Sequence, residues 1–238
     1  GSLVRLAVAA TPDVAIPTLE FLLTGKYSFV KVFTTEDKAV GRGRNLTPSD
    51  VAVWADEHGI ECIKVGKAAE MAAHLDGIDC VVTVAFGILL PQEILSIPSH
   101  GFINLHFSLL PAWRGAAPVQ RAIENGDEEL GISVFALDQG MDTGPIYRQS
   151  TFARDANMRS KEALKFLGEQ GVALIAQTLE DISKGVTPTQ QSSDGSSLAK
   201  KLSKIEALID WNLPSAVIDR KVAAFYPNPI AYSHFRGD

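Results

Sequence analysis

Residues 80–86, CVVTVAF, place six apolar side chains around a single threonine. Successive side chains of a strand alternate between its two sides, so a strand of this make-up has no face to offer to water. Such strands belong in a parallel sheet that helices cover on both faces. Residues 3–10, LVRLAVAA, have the same character. Between and after these runs the chain alternates: a helix over 12–23 stopped by Gly25, a strand over 28–35, a helix over 48–57 closed by Gly59, a strand over 61–65 and a helix over 68–75. Thr47 is the expected cap of the 48–57 helix, with Pro48 at its first position and Asp50 at its third. The pattern predicts an α/β fold built on a doubly wound, mostly parallel sheet, in which ligands collect beyond the carboxyl ends of the strands.

Further along, residues 157–184 read as one long helix, and GVTPTQQSSDGSS, residues 185–197, as a polar linker. With 238 residues the chain holds one full α/β domain and part of a second. The expected division is a first domain over 3–184, a linker over 185–205 and the start of an incomplete second domain over 206–238, opening with a helix over 214–225. A net charge of −6 excludes a protein that coats nucleic acid through massed basic contacts, although a local basic patch stays open. Cys62 and Cys80, the two cysteines, sit at the edges of apolar runs and read as buried thiols in a reducing compartment. Residues 3–10 are far short of the roughly 18 apolar residues needed to span a bilayer. Pro12 and Asp13 interrupt them where a secretory leader would stay apolar, so the expectation is a cytoplasmic protein with no membrane partner.

A strand over 102–109, FINLHFSL, is where chemistry enters. Its alternation puts Ile103, Leu105, Phe107 and Leu109 on one wholly apolar face, and Phe102, Asn104, His106 and Ser108 on the other. Asn104 and His106 thus face a site near the carboxyl end of the strand, where the fold class puts its cleft. The alternative for His106 is a satisfied histidine within a strand layer. His58 and His74 near helix ends, His100 in a turn and His234 in the tail read as solvated. LDQGMDTGP, residues 137–145, is a glycine-bearing loop able to present Asp138 or Asp142; read as structure alone it is a turn with solvated carboxylates.

Asn, His and Asp together suit one kind of chemistry. An amide N–H and an imidazolium N–H donate to a carbonyl oxygen as it gains negative charge, while a carboxylate raises the imidazole pKa and fixes its tautomer. A serine nucleophile is not implied, since no G-x-S-x-G surrounds Ser108, and neither H-E-x-x-H nor C-x-x-C points to a metal such as zinc. The group best served is a formyl or acyl carbon passed directly to an amine. GRGRNLTPS, residues 41–49, is neither a P-loop nor a full dinucleotide fingerprint; Arg42 and Arg44 on this glycine-bearing loop suit phosphates, or a merely solvated surface.

INLHFSLLPAWRGAAPVQRAI together with LDQGMDTGPI resembles the 10-formyltetrahydrofolate-dependent formyltransferase family, and KKLSKIEALIDW and FYPNPIAY resemble that family's entry into its second domain. The likeness runs from residue 3 to about residue 232. It implies a Rossmann-like formyltransferase fold whose catalytic residues are Asn104 and His106 in NLH and Asp142, rather than Asp138, in DTG. It places the folate, 10-formyltetrahydrofolate as formyl donor, near Phe86, Gly87, Ile88, Leu89 and Leu90 and near Ser108, Leu109, Leu110 and Pro111. Arg42, Gly43 and Arg44 match the loop that reaches a tRNA acceptor end, the acceptor being the methionyl group on charged initiator tRNA. His106 is expected to be protonated, with Asp142 holding its charge, in a monomer without metal. The family's carboxyl-terminal OB-type β-barrel is not accommodated by residues 206–238, so a shortened second domain is expected. Two other classes stay open: a related formyltransferase or formyl-folate hydrolase acting on a small amine or on water, and a non-catalytic domain that binds tRNA or folate. A dinucleotide oxidoreductase is disfavoured, because no glycine-rich fingerprint follows the first strand.

Overall fold

The computed structural model describes residues 3–226 and Ala231. Its seven-stranded sheet has the order β5-β2-β1-β6-β7-β8-β9, where β1 is Arg5–Ala10, β2 Ser28–Thr35, β5 Glu61–Val65, β6 Cys80–Val84, β7 Phe102–His106, β8 Glu129–Ala136 and β9 Ile146–Ala153. The first five strands run parallel, while β8 and β9 pair antiparallel at one edge. A two-stranded hairpin, β3 (Lys38–Val40) with β4 (Asn45–Thr47), stands apart from this sheet.

Burial follows from the strand composition. Leu6, Val8 and Ala10 of β1 join one core cluster, Ala7 and Ala9 join another, and none of the five touches water. The larger cluster gathers side chains of α1 (Ile16–Leu23), α2 (Asp50–His58), α4 (Pro118–Asn125), α5 (Ser160–Ser183) and α6 (Ser215–Phe225). On the other face the cover is thinner: a 3-10 turn at Ala68–His74, expected as a helix, and the single-turn α3 (Gln92–Leu95). Strand order reverses between β1 and β6, so a crevice opens beyond their carboxyl ends.

Several boundaries differ from the sequence expectation. Ser49, not Thr47, caps α2: its hydroxyl accepts the Ala52 N–H at 3.0 Å, whereas Thr47 belongs to the hairpin. β6 stops at Val84 because Ala85 turns to φ 48°, off the strand path. α5 starts at Ser160, since Asn157 donates its N–H to Asp155 in a preceding turn.

Residues read as a linker are bonded along the body of the domain, pairing Thr189 with Ile146 and Leu198 with Arg114. Ala207, Ala224 and Phe225, in the stretch expected to open a second domain, are fully buried in the larger core cluster. Most of the FYPNPIAY motif and His234 lie outside the described residues. Among the described residues, no helix is long and apolar enough to cross a membrane.

Candidate active site

β7 alternates as its sequence requires. Ile103 and Leu105 are buried in the helix-covered core, while Asn104 and His106 line a cavity of about 650 Å³. Loop 85–91 after β6, Gly115 and Ala116 before α4 with Pro118 at its start, and loop 137–142 after β8 form the other walls. A cavity of this size admits a small organic ligand. The Asn104 side-chain amide makes no hydrogen bond among the described residues, so its N–H groups remain available to a ligand in the cavity.

His106 is oriented from behind. Its Nε2 lies 2.8 Å from the Trp113 carbonyl oxygen. A carbonyl only accepts, so Nε2 carries a hydrogen, and in the neutral ring Nδ1 keeps its lone pair. Nδ1 faces Asp142 Oδ2 at 3.7 Å, and that same oxygen accepts the Gly115 N–H at 2.8 Å. The ring of Phe135 meets the imidazole edge-on at 6.4 Å between centroids. Burial holds the His106 pKa below its ordinary value, against the upward pulls of Asp142 and the Trp113 carbonyl. The direction runs against the expected resting imidazolium, because a carboxylate at 3.7 Å does not repay the loss of hydration and the neutral ring is favoured.

The loop also separates the two aspartates. Asp138 Oδ1 accepts from the Gly140 N–H and the Thr143 hydroxyl, at 2.9 and 2.7 Å, and so closes its own turn. Asp142 reaches the histidine from a left-handed backbone, φ 56°. Of the four non-glycine residues with positive φ among the described residues, three belong to this site: Ala85 and Asp142 line the cavity and Trp113 supplies the carbonyl for His106. Such conformations persist only where the surroundings over-determine them, and they gather at functional sites.

Phe86, Gly87, Ile88, Leu89 and Leu90 line the same cavity as Asn104, His106 and Asp142. Ser108, Leu109, Leu110 and Pro111, the other part of the folate-binding expectation, are not among the residues that line it. β7 ends at His106 and the chain turns away, so Ser108 and Leu109 line a separate hollow of about 440 Å³. The Ser108 hydroxyl donates to the Ala112 carbonyl, and Ser133 ties down the turn by donating to Ser108 O and accepting from the Leu110 N–H. Arg42, Gly43 and Arg44 form the exposed turn between β3 and β4, away from the cavity walls. Among the described residues no cluster of three or more His, Cys, Asp or Glu side chains is arranged to hold a metal ion.

Sequence reasoning missed three supports. Trp113 and Gly115 act through backbone atoms, which leave no side-chain signature, although both lie in the PAWRGAAP run. Gln191 contacts the Asp142 loop from a segment whose composition signalled only a spacer.

A cavity with a free amide donor, a buried neutral imidazole and a carboxylate beside it has the parts for moving a small acyl group between nitrogen atoms. The chain belongs to the formyl transferase family: the formyl transferase model matches residues 4–178, and the model of the formyl transferase C-terminal domain matches residues 201–238. Within the family its place is with the methionyl-tRNA formyltransferases. The Salinispora tropica methionyl-tRNA formyltransferase is 43% identical to it over 240 residues, covering 98% of this chain and 78% of that protein. The fold is shared with solved structures. The methionyl-tRNA formyltransferase from Clostridium thermocellum aligns at TM-score 0.70 and 15% identity, over 98% of this chain and 89% of that one. An N-formyltransferase from Helicobacter canadensis, in complex with folinic acid and dTDP-3-aminofucose, aligns at TM-score 0.74 and 22% identity, over 93% of this chain and 80% of that one.

Proposed function

We infer that this chain is an enzyme that passes a formyl group to the free amine of methionyl-tRNA, with 10-formyltetrahydrofolate as donor and charged initiator tRNA as acceptor. The observation that carries the reading is the free Asn104 amide beside His106 on one cavity wall, in a chain whose relatives are named for this reaction. A folate donor is supported by the fit of the walls, since the loop holding Phe86 to Leu90 is apolar and Asn104 stands behind it with donors to offer. Bound there, 10-formyltetrahydrofolate supplies an electrophilic formyl carbon on N10.

The chain's residues then have distinct tasks. The Asn104 amide donates to the formyl oxygen as negative charge develops on it. His106 Nδ1, unprotonated and facing the cavity side, takes a proton as the amine forms its bond to the formyl carbon. Asp142 stabilises the imidazolium so produced. The proton returns from His106 to the nitrogen that departs as its bond to the same carbon breaks, so the ring ends neutral. Arg42 and Arg44, with Gly43 between them, contact phosphates near the acceptor end. The enzyme works in the cytoplasm as a monomer, with residues 3–184 as its catalytic domain, 185–205 joining that to the second domain and 206–238 beginning the latter.

The test is formylation of charged initiator tRNA, set beside an elongator tRNA carrying the same amino acid, glycinamide ribonucleotide and a 4-amino sugar nucleotide. Initiator tRNA is expected to be the preferred acceptor, and preference for a small amine would overturn the reading. Asn104→Ala should lower kcat by about 10²–10³-fold, the usual cost of losing one such donor.

A further inference from the structure

We propose that Gln191 is a positioning residue for His106 and Asp142, and that residues 189–199 brace from behind the two loops that carry the active site. The side-chain amide of Gln191 is used in full. Its Nε2 donates to the carbonyl oxygens of Asp142 and Gly144 at 2.7 and 2.8 Å, and its Oε1 accepts from Arg114 Nε and Nη2 at 3.1 and 2.7 Å. One side chain therefore joins the loop that carries the carboxylate to the turn that orients the imidazole.

The backbone continues the seam. Arg114 donates its N–H to Ser197 O at 2.9 Å and accepts the Ala199 N–H at 2.6 Å, while Ser197 Oγ accepts the Trp113 N–H at 2.9 Å. Trp113 and Gly115, the two residues whose backbone holds His106 and Asp142, flank the residue so gripped. The approach is close enough that a Cβ on Gly115 would meet Ala199 O at 2.8 Å. Trp113 and Asp142 both sit at φ 56°, a conformation their own side chains disfavour, and bonds from outside the loop are what such residues need to stay there. A solvated spacer would leave Gln191 in water.

The inference rests on the formyl-transfer reading, and its test separates the two. Gln191→Met is close in volume and adds no charge, but removes the donor to the Asp142 and Gly144 carbonyls and the acceptor for Arg114. It should lower kcat by about 10²-fold, as small misplacements of reacting groups do, with KM for donor and acceptor nearly unchanged. The ¹⁵N resonances of the His106 ring give a readout independent of turnover. Asp138 and Asp142 are the titratable groups lining the cavity with His106 among the described residues, and displacing Asp142 should move the ring's titration midpoint to lower pH. Ser197→Ala, which removes the acceptor for Trp113 N–H, should act in the same direction, more weakly. A loss of rate with an unmoved His106 midpoint, or KM rising in step with a falling kcat, would reduce Gln191 to a structural contact and overturn the proposal. If the unaltered enzyme formylates no methionyl-tRNA, the functional reading fails alone and the His106 midpoint still decides the role of Gln191.

Discussion

His106 sets the pH behaviour of this site. Its neutral form takes the amine proton, so activity falls as pH drops through the His106 pKa, which burial puts below the ordinary 6.5. The acid limb of kcat/KM is therefore expected below pH 6.5. Asp142→Asn retains an oxygen for the Gly115 N–H and should fold normally, but it removes the charge that stabilises the imidazolium. Its turnover should drop, and its acid limb should move to lower pH because only the Trp113 carbonyl then opposes burial. A variant with unaltered turnover and limb would take Asp142 out of the mechanism. Asn104 and His106 were legible at this scale because two residues apart on a strand is one face. The choice between Asp138 and Asp142 was not: both are acidic residues in a glycine-bearing loop, and only the bonds to Gly140 and Thr143 show which of them closes the turn.

Among the elements, the β3–β4 hairpin is one of those the periodicity did not show, because three-residue strands are too short to display alternation. It holds Arg42 and Arg44 out in solvent at the end of β2, on the edge of the sheet where β6 and β7 also finish. Arg42→Ala is expected to raise KM for charged tRNA with little change in kcat or in KM for the folate, the mark of a contact made equally in ground and transition states. The contribution should also weaken with added salt, as phosphate contacts do. A tRNA KM indifferent to the substitution would return the hairpin to plain surface. The end of β7 was misjudged for a different reason. Apolar alternation continues through Leu109, yet the chain leaves the sheet at His106 because Ser133 on β8 captures the backbone of Ser108 and Leu110.

At the level of the molecule, the segment after α5 returns to the body of the domain and, beyond the seam at Arg114, is fastened at a buried cation. Arg121 on α4 donates to the Lys200 and Lys201 carbonyls and pairs with Glu124 and Glu206. The hydrogen bonds from Arg121 hold the Glu206 pKa down to about 2 from an ordinary 4.5. A carboxylate depressed in this way stabilises the fold above pH 4.5, and that contribution is lost as pH falls toward 2. The Tm difference between the protein and Glu206→Gln should thus be full near neutrality and shrink steadily in acid. It should also be modest, because the Glu206 side chain is 39% exposed and solvent screens the pair. A difference constant with pH would deny the ion pair its role in fastening this segment.

The layered sheet, its crevice and the paired Asn104 and His106 were written in the chain itself, because burial on two faces and alternation along a strand are local properties with a fixed period. The protonation of His106, the carboxylate that meets it and the return of Gln191 to the site were decided only by the folded molecule. Those depend on desolvation and on backbone groups brought together from distant segments, and neither quantity is a property of any residue's neighbours in sequence.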